Sequence, residues 1–250
     1  MSRFADSRLA GYLQLAWFAG ARHRELRRRP LLQDQLRRQI YGAGISALPV
    51  IGVLAVLTGA AAVTQLSALI GADSDLTQRM LVLGLYFELA PLLSALVVVA
   101  RSSAGIASEL AVMNLHDEFT ALRRLGVPAA DYLLLPRIFG MAVALPAVTV
   151  CFQAFAVVSG WLVTALLEGR PPAETAGRFL DLADPWLALL SLVKSALMGA
   201  AVGVIACHHG SSGKGSTQAI SGAAIQAVGT GLIAVFLIDV VFAVMVYILR

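Results

Sequence analysis

Residues 39–72 read QIYGAGISALPVIGVLAVLTGAAAVTQLSALIGA, and none of them is Asp, Glu, Lys or Arg. At about 1.5 Å per residue the run makes a helix longer than the ~30 Å hydrocarbon core of a bilayer requires. This stretch is a membrane span with length to spare. Pro49 within it predicts a kink, because proline removes one backbone hydrogen bond and crowds the preceding turn.

The rest of the chain agrees. It has 250 residues, 58% of them hydrophobic and only 14% charged, with a mean hydropathy of +0.79. That composition excludes an ordinary soluble domain. Working outward, further spans are expected at about 80–100, 138–167, 185–207 and 218–249, after a first at about 40–70. The connections are polar and punctuated by glycine and proline, as in Gly169 to Pro172 and Gly210 to Gly215. No internal repeat is visible. The expected fold is an all-α integral membrane protein of about five transmembrane helices.

Orientation follows from the placement of Lys and Arg, which membrane proteins retain on the cytoplasmic side. With a cytoplasmic N-terminus, 14 of the 19 basic residues fall on that side and four on the other. Nine of them precede residue 39. Arg22 to Arg29 form a basic cluster, and Pro30 then opens a short helix with Leu32, Leu36 and Ile40 on one face, expected to lie in the membrane interface. Phe4, Leu9, Tyr12, Leu13, Trp17 and Phe18 suggest another such helix upstream. Beside a membrane span, the basic run reads as a lipid contact and not as a nucleic-acid site.

Glu88, Lys194 and Asp239 each interrupt an apolar span, where an ionised group costs at least ~2.5 kcal/mol unless paired or hydrated. At helical rise all three lie about 12 to 17 Å below the same face. Two readings stay open: a structural ion-pair cluster, or a hydrated cavity in which Lys194 attracts a phosphate headgroup while Glu88 and Asp239 position it.

Between the second and third spans, residues 108–137 read SELAVMNLHDEFTALRRLGVPAADYLLLPR. A short helix is expected at about 113–126. Asn114 would cap it with Asp117 in its first turn, Leu115, Phe119 and Leu122 would share a face, and Gly126 would stop it before Pro128. Asp117, Glu118, Arg123 and Arg124 occupy the other side. Such a helix either lies on the bilayer and its own bundle or inserts into a groove on a partner.

Three further signals look like chemistry. The loop GSSGKGST, Gly210 to Thr217, has the wrong spacing for a phosphate-binding loop and leaves a membrane helix where that motif needs a strand. Cys207, His208 and His209 are adjacent, which does not converge on a metal without further ligands, and they read as a loop near headgroups. Cys151 and Cys207 read as small packing residues. Gly199 and Gly203, four apart, permit close helix packing, as do Gly229 and Gly231.

The chain resembles the MlaE/YrbE permease family of bacterial lipid-transporting ABC systems over roughly residues 30–250. The matching features are Glu88-Leu89-Ala90-Pro91, the RSSAGIASE segment from Arg101 to Glu109, the stretch from Met113 to Pro136, Leu145-Pro146, and Lys194-Ser195. Ala90 stands where the family usually has glycine, and Phe87 where some members carry a basic residue. The resemblance divides the chain into an N-terminal interfacial segment, 1–39, and a transmembrane permease domain, 40–250, and makes residues 113–126 a coupling helix.

What the resemblance implies is a non-catalytic permease subunit in the bacterial inner membrane, homodimeric or paired. Two cytoplasmic ATPases would bind the ATP and Mg, so this chain would carry no cofactor. An MCE-domain protein would stand across the membrane, and the cargo would be phospholipid or a related lipid. The alternatives are an ABC importer permease for a small solute and a proton-coupled secondary transporter using Glu88 and Asp239. A non-transporting scaffold would leave the buried charges unexplained.

Overall fold

The computed structural model describes residues 10–22, 30–70, 84–126, 128–169, 185–212 and 217–249. Phe4, Leu9, most of the basic cluster before Pro30, the loop around Arg79 and the loop carrying Lys214 lie outside the described residues. Every element among the described residues is helical, and five helices are long and apolar enough to cross a membrane. The chain is an all-α, multi-pass membrane protein.

The first span is Leu48–Ile70. The helix from Pro30–Ala43 runs up to it and stops at Gly44, and a single tight turn, Ile45–Ala47, intervenes. The expected kink at Pro49 is therefore a break one turn earlier. The physical reason is the missing proline N–H, whose partner four residues back would have been the Ile45 carbonyl. Leu32 is buried, and the Pro30–Ala43 helix packs on the third span. Leu32 thus meets protein, while Leu36 and Ile40 on the same face stay half-buried.

Spans two to four are longer than the sequence reading allowed. The second continues through Phe87–Leu115, the third covers Ala130–Leu167, and the fourth covers Pro185–Ser212. The expected second span ended at Ala100, the third began at Ile138 and the fourth ended at Cys207. Arg101 remains in the helix because its long stem carries the charge outward, and it donates to the Ser46 carbonyl. Arg137 is 7% exposed and pairs with Glu109 at 3.2 Å. The fifth span is Thr217–Leu249.

The third and fourth spans form the centre. The third packs on the first and fourth, and the fourth on the second and fifth. Half of the fourth span is buried against only 11% of the fifth. Ile233, Leu237, Val241 and Val244 of the fifth span are exposed, as suits a helix bathed in lipid. Small residues let the central helices meet. A Cβ on Gly199 would lie 2.4 Å from the Met141 carbonyl oxygen, and one on Gly203 would lie 3.0 Å from Ile138 Cα. Gly229, by contrast, faces open space, so it is not a packing glycine.

Candidate functional site: a buried lysine between two carboxylates

The second span begins in a wide turn, Gly84–Leu89, before the α-helix starts at Ala90. Pro91 has no N–H to offer the carbonyl four residues back, which belongs to Phe87. Lys194 of the fourth span supplies the missing donor, its Nζ standing 3.3 Å from that oxygen. A proline in one helix thus prepares an acceptor for a cation on another.

Lys194 is fully buried. Its Nζ donates to Glu88 Oε2 at 2.9 Å and lies 2.8 Å from Asp239 Oδ1 of the fifth span. It also sits 4.6 Å from the centroid of the Phe87 ring, a cation–π distance. The three charges expected at one depth therefore meet in one cluster. Its environment is uneven. The side chain of Glu88 is 38% exposed and that of Asp239 15%, so the cation is sealed while one carboxylate reaches the rim.

Sequence reading missed the support around this cluster. Phe87, though not basic, contacts the lysine with both its carbonyl and its ring. Ser191, one turn before Lys194, accepts a hydrogen bond from Gln153 Nε2 of the third span at 2.9 Å. The available signals were Pro91 four residues after Phe87 and Ser191 three before Lys194. Ala90 is completely buried, so the methyl that replaces glycine there is packed into the bundle.

An apolar groove of about 590 Å³ opens beside the cluster. Leu197, Val204, Ile238, Val241 and Phe242 line it, with Tyr12 and Leu13 of the N-terminal helix. Leu197 is one turn from Lys194, and Ile238 adjoins Asp239. None of Glu88, Lys194 and Asp239 lines the groove itself, which starts about one turn along the fourth span from the lysine.

The segment after the second span needs a correction. The helix Ala104–Leu115 includes Asn114, whose Nδ2 donates to the Ser211 carbonyl at 3.3 Å. Asn114 therefore does not cap the next helix. The apolar residues from Ile106 to Met113 keep the preceding helix going, and the chain turns at His116 and Asp117. Asp117 takes a left-handed conformation at φ 56° and precedes the short helix Glu118–Arg124, a conformation that aspartate tolerates better than most residues. Its carbonyl accepts from the N–H groups of Thr120 and Ala121.

Gly126 ends the segment as expected, at φ 74°, with its N–H donating to the Arg123 carbonyl. Leu115 falls before the turn and so leaves the short helix's apolar face. Phe119 and Leu122 remain on that face, partly buried against the chain's own core. Glu118, Arg123, Arg124 and Leu125 point outward, Leu125 with 77% of its surface exposed.

Cys207, His208 and His209 lie inside the fourth helix, where a loop was expected. His209 Nε2 is 2.8 Å from the Tyr12 hydroxyl and 3.1 Å from Thr230 Oγ1. These contacts tie the N-terminal helix to the fourth and fifth spans. Both cysteines are free, and Cys207 is buried. Among the described residues no three His, Cys, Asp or Glu side chains are grouped to hold a metal ion.

Comparison with known proteins agrees with this architecture. The chloroplast protein TRIGALACTOSYLDIACYLGLYCEROL 1 of Arabidopsis thaliana is 30% identical over 161 residues, covering 62% of this chain and 45% of that protein. A probable ABC transporter permease protein of Rickettsia conorii is 31% identical over 196 residues, covering 76% of this chain and 74% of its own length. A probable ABC transporter permease protein of Synechocystis is 27% identical over 158 residues, covering 63% and 60%. The match to the chloroplast protein thus spans about half of that relative's length. The family described as Permease MlaE matches residues 36–245, and with the second and fourth spans joined at Glu88 and Lys194, the chain belongs to the MlaE permease family of ABC transporter permeases.

Proposed function

We propose that this permease subunit moves phospholipid or a chemically related lipid, and that its headgroup site is the Lys194 cluster. The observation that carries the reading is a sealed cation with a carboxylate at the rim, and an apolar groove that begins one turn away on the fourth span. A headgroup needs charge and hydrogen-bond partners, and its acyl chains need a dry apolar wall; the fourth and fifth spans carry both. A small polar solute would need a polar path, which this groove does not offer. The name of the Arabidopsis relative is that of a glycolipid, trigalactosyldiacylglycerol, which fits a lipid cargo.

In this reading the chain works in the bacterial inner membrane with its N-terminus cytoplasmic, as a homodimer or paired with a second permease. Cytoplasmic ATPases bind ATP and Mg, and an MCE-domain protein exchanges lipid on the far side. Native mass spectrometry of the permease copurified with its ATPase tests the cargo. Phospholipid should accompany the wild type, and its occupancy should fall severalfold in Glu88→Gln, which keeps the side-chain shape and removes the rim charge. A complex that binds ATPase but carries no lipid would return the small-solute alternative.

The ATPase docks, in this proposal, on the outward face of Glu118–Arg124. Asn114, Asp117, Phe119, Leu122 and Gly126 hold that helix in place, and Glu118, Arg123 and Leu125 make the contact. Leu125 is an exposed apolar side chain next to the exposed charges of Arg123 and Arg124, a surface that a partner can cover. Leu125→Asp and Glu118→Arg should each weaken ATPase association about tenfold or more, measured by titration in detergent. Undiminished binding in both variants would move the docking surface elsewhere.

A further inference from the structure

A polar cavity lies far from the Lys194 cluster, and its walls carry basic, hydroxyl, amide and carboxylate side chains. It measures about 300 Å³ and lies between the C-terminal half of the Pro30–Ala43 helix and the second span. Arg38, Gln39, Ser46, Arg101, Ser102 and Glu109 supply its polar lining. We propose that this cavity binds the phosphate of a membrane phospholipid in the leaflet opposite the Lys194 cluster.

Three observations support this. First, the chemistry suits an oxyanion. Arg38 makes no ion pair or hydrogen bond with another described residue, and Arg101 spends one guanidinium nitrogen on the Ser46 carbonyl, leaving the rest of its donor fork for a ligand. Second, the Ser102 hydroxyl is buried in this wall without a hydrogen-bond partner. A buried hydroxyl with no partner costs free energy that a bound acceptor would remove. It belongs to the wide turn Val99–Ser103, and such turns recur at functional sites.

Third, the position is that of a headgroup. Arg101 is 13 residues beyond Glu88 on one continuous helix, or about 20 Å along its axis. Given the ~30 Å hydrocarbon core, that separation carries Arg101 from the depth of Glu88 to the opposite interface. Ser46 at the cavity wall begins a stripe at helical spacing, Val50, Val53 and Leu57, all three exposed. A lipid phosphate held by Arg38, Arg101 and Ser102 can lay its chains along that stripe. The stripe decides between a lipid and a soluble phosphate, which would have no use for it. Glu109, already paired with Arg137 but more than half exposed, is placed to meet an amine on the same headgroup.

The inference rests on the chain spanning a membrane and not on the Lys194 cluster binding lipid, so the two readings fail separately. The test uses the full chain in detergent with dioleoylphosphatidylglycerol, dioleoylglycerol and inorganic phosphate as probes. Phosphatidylglycerol should protect residues 38–46 and 99–109 from hydrogen exchange, and dioleoylglycerol should not. Arg38→Gln, which disturbs no ion pair or hydrogen bond among the described residues, should weaken that protection about tenfold in lipid concentration. Ser102→Ala should act in the same direction, and Glu88→Gln should leave it unchanged. Protection by millimolar phosphate alone would overturn the lipid assignment. Equal protection in wild type and Arg38→Gln would overturn the site.

Discussion

Lys194→Met should destabilise the folded chain by about 3–5 kcal/mol, because it strands the largely buried Asp239 carboxylate, which pairs with no other cation among the described residues. The triple replacement Lys194→Met, Glu88→Gln, Asp239→Asn removes all the charge together and should recover most of that loss. Thermal unfolding of the purified proteins measures both. The pair of variants also separates structure from transport. If the cluster only braces the bundle, the triple variant should move lipid at close to the wild-type rate. If the cluster holds a headgroup, the triple variant should fold yet lose lipid occupancy and ATP-driven transport. An unfolded triple variant would instead mean that the polar contacts specify the packing of the second, fourth and fifth spans.

The second large effect concerns a glycine. A Cβ on Gly59 would lie 2.2 Å from the Ala156 carbonyl oxygen and 2.3 Å from Ser159 Oγ. A backbone carbonyl in a packed helix cannot retreat, so Gly59→Ala must push the first and third spans apart. Overpacking of this kind costs about 1–3 kcal/mol, sometimes more, and the unfolding midpoint in detergent should fall accordingly. Gly229→Ala serves as the comparison, since nothing stands within 4 Å of its added methyl. Equal midpoints for the two variants would show that the first and third spans do not meet at Gly59.

The features legible in the sequence were those that one dominant energy controls. An apolar run long enough to cross a bilayer has little alternative to spanning it even when a single charge interrupts it, which fixed the number of spans. The cost of burying Glu88, Lys194 and Asp239 singly implied that they would be found together. Gly126 was readable because its left-handed φ favours glycine. Helix ends were harder, since a single arginine can bend outward or find a partner without stopping a helix, as Arg101 and Arg137 do. Asn114 failed as a cap because the apolar segment before it extends the preceding helix past it. The Phe87 carbonyl was hidden for a different reason: side-chain type says nothing about a backbone acceptor unless the proline four residues later is read with it.

The chain order of the charged cluster also constrains how the protein is made. Synthesis proceeds from the N-terminus, so the span carrying Glu88 leaves the ribosome first, Lys194 follows, and Asp239 arrives last. The lysine therefore never has to cross into lipid ahead of an anion already waiting in the second span. The second anion is delivered by the fifth and least buried span, whose own aspartate then finds a cation in place. Only Glu88 has to wait for a counterpart; each later charge meets one already in place, and the most exposed helix closes the assembly.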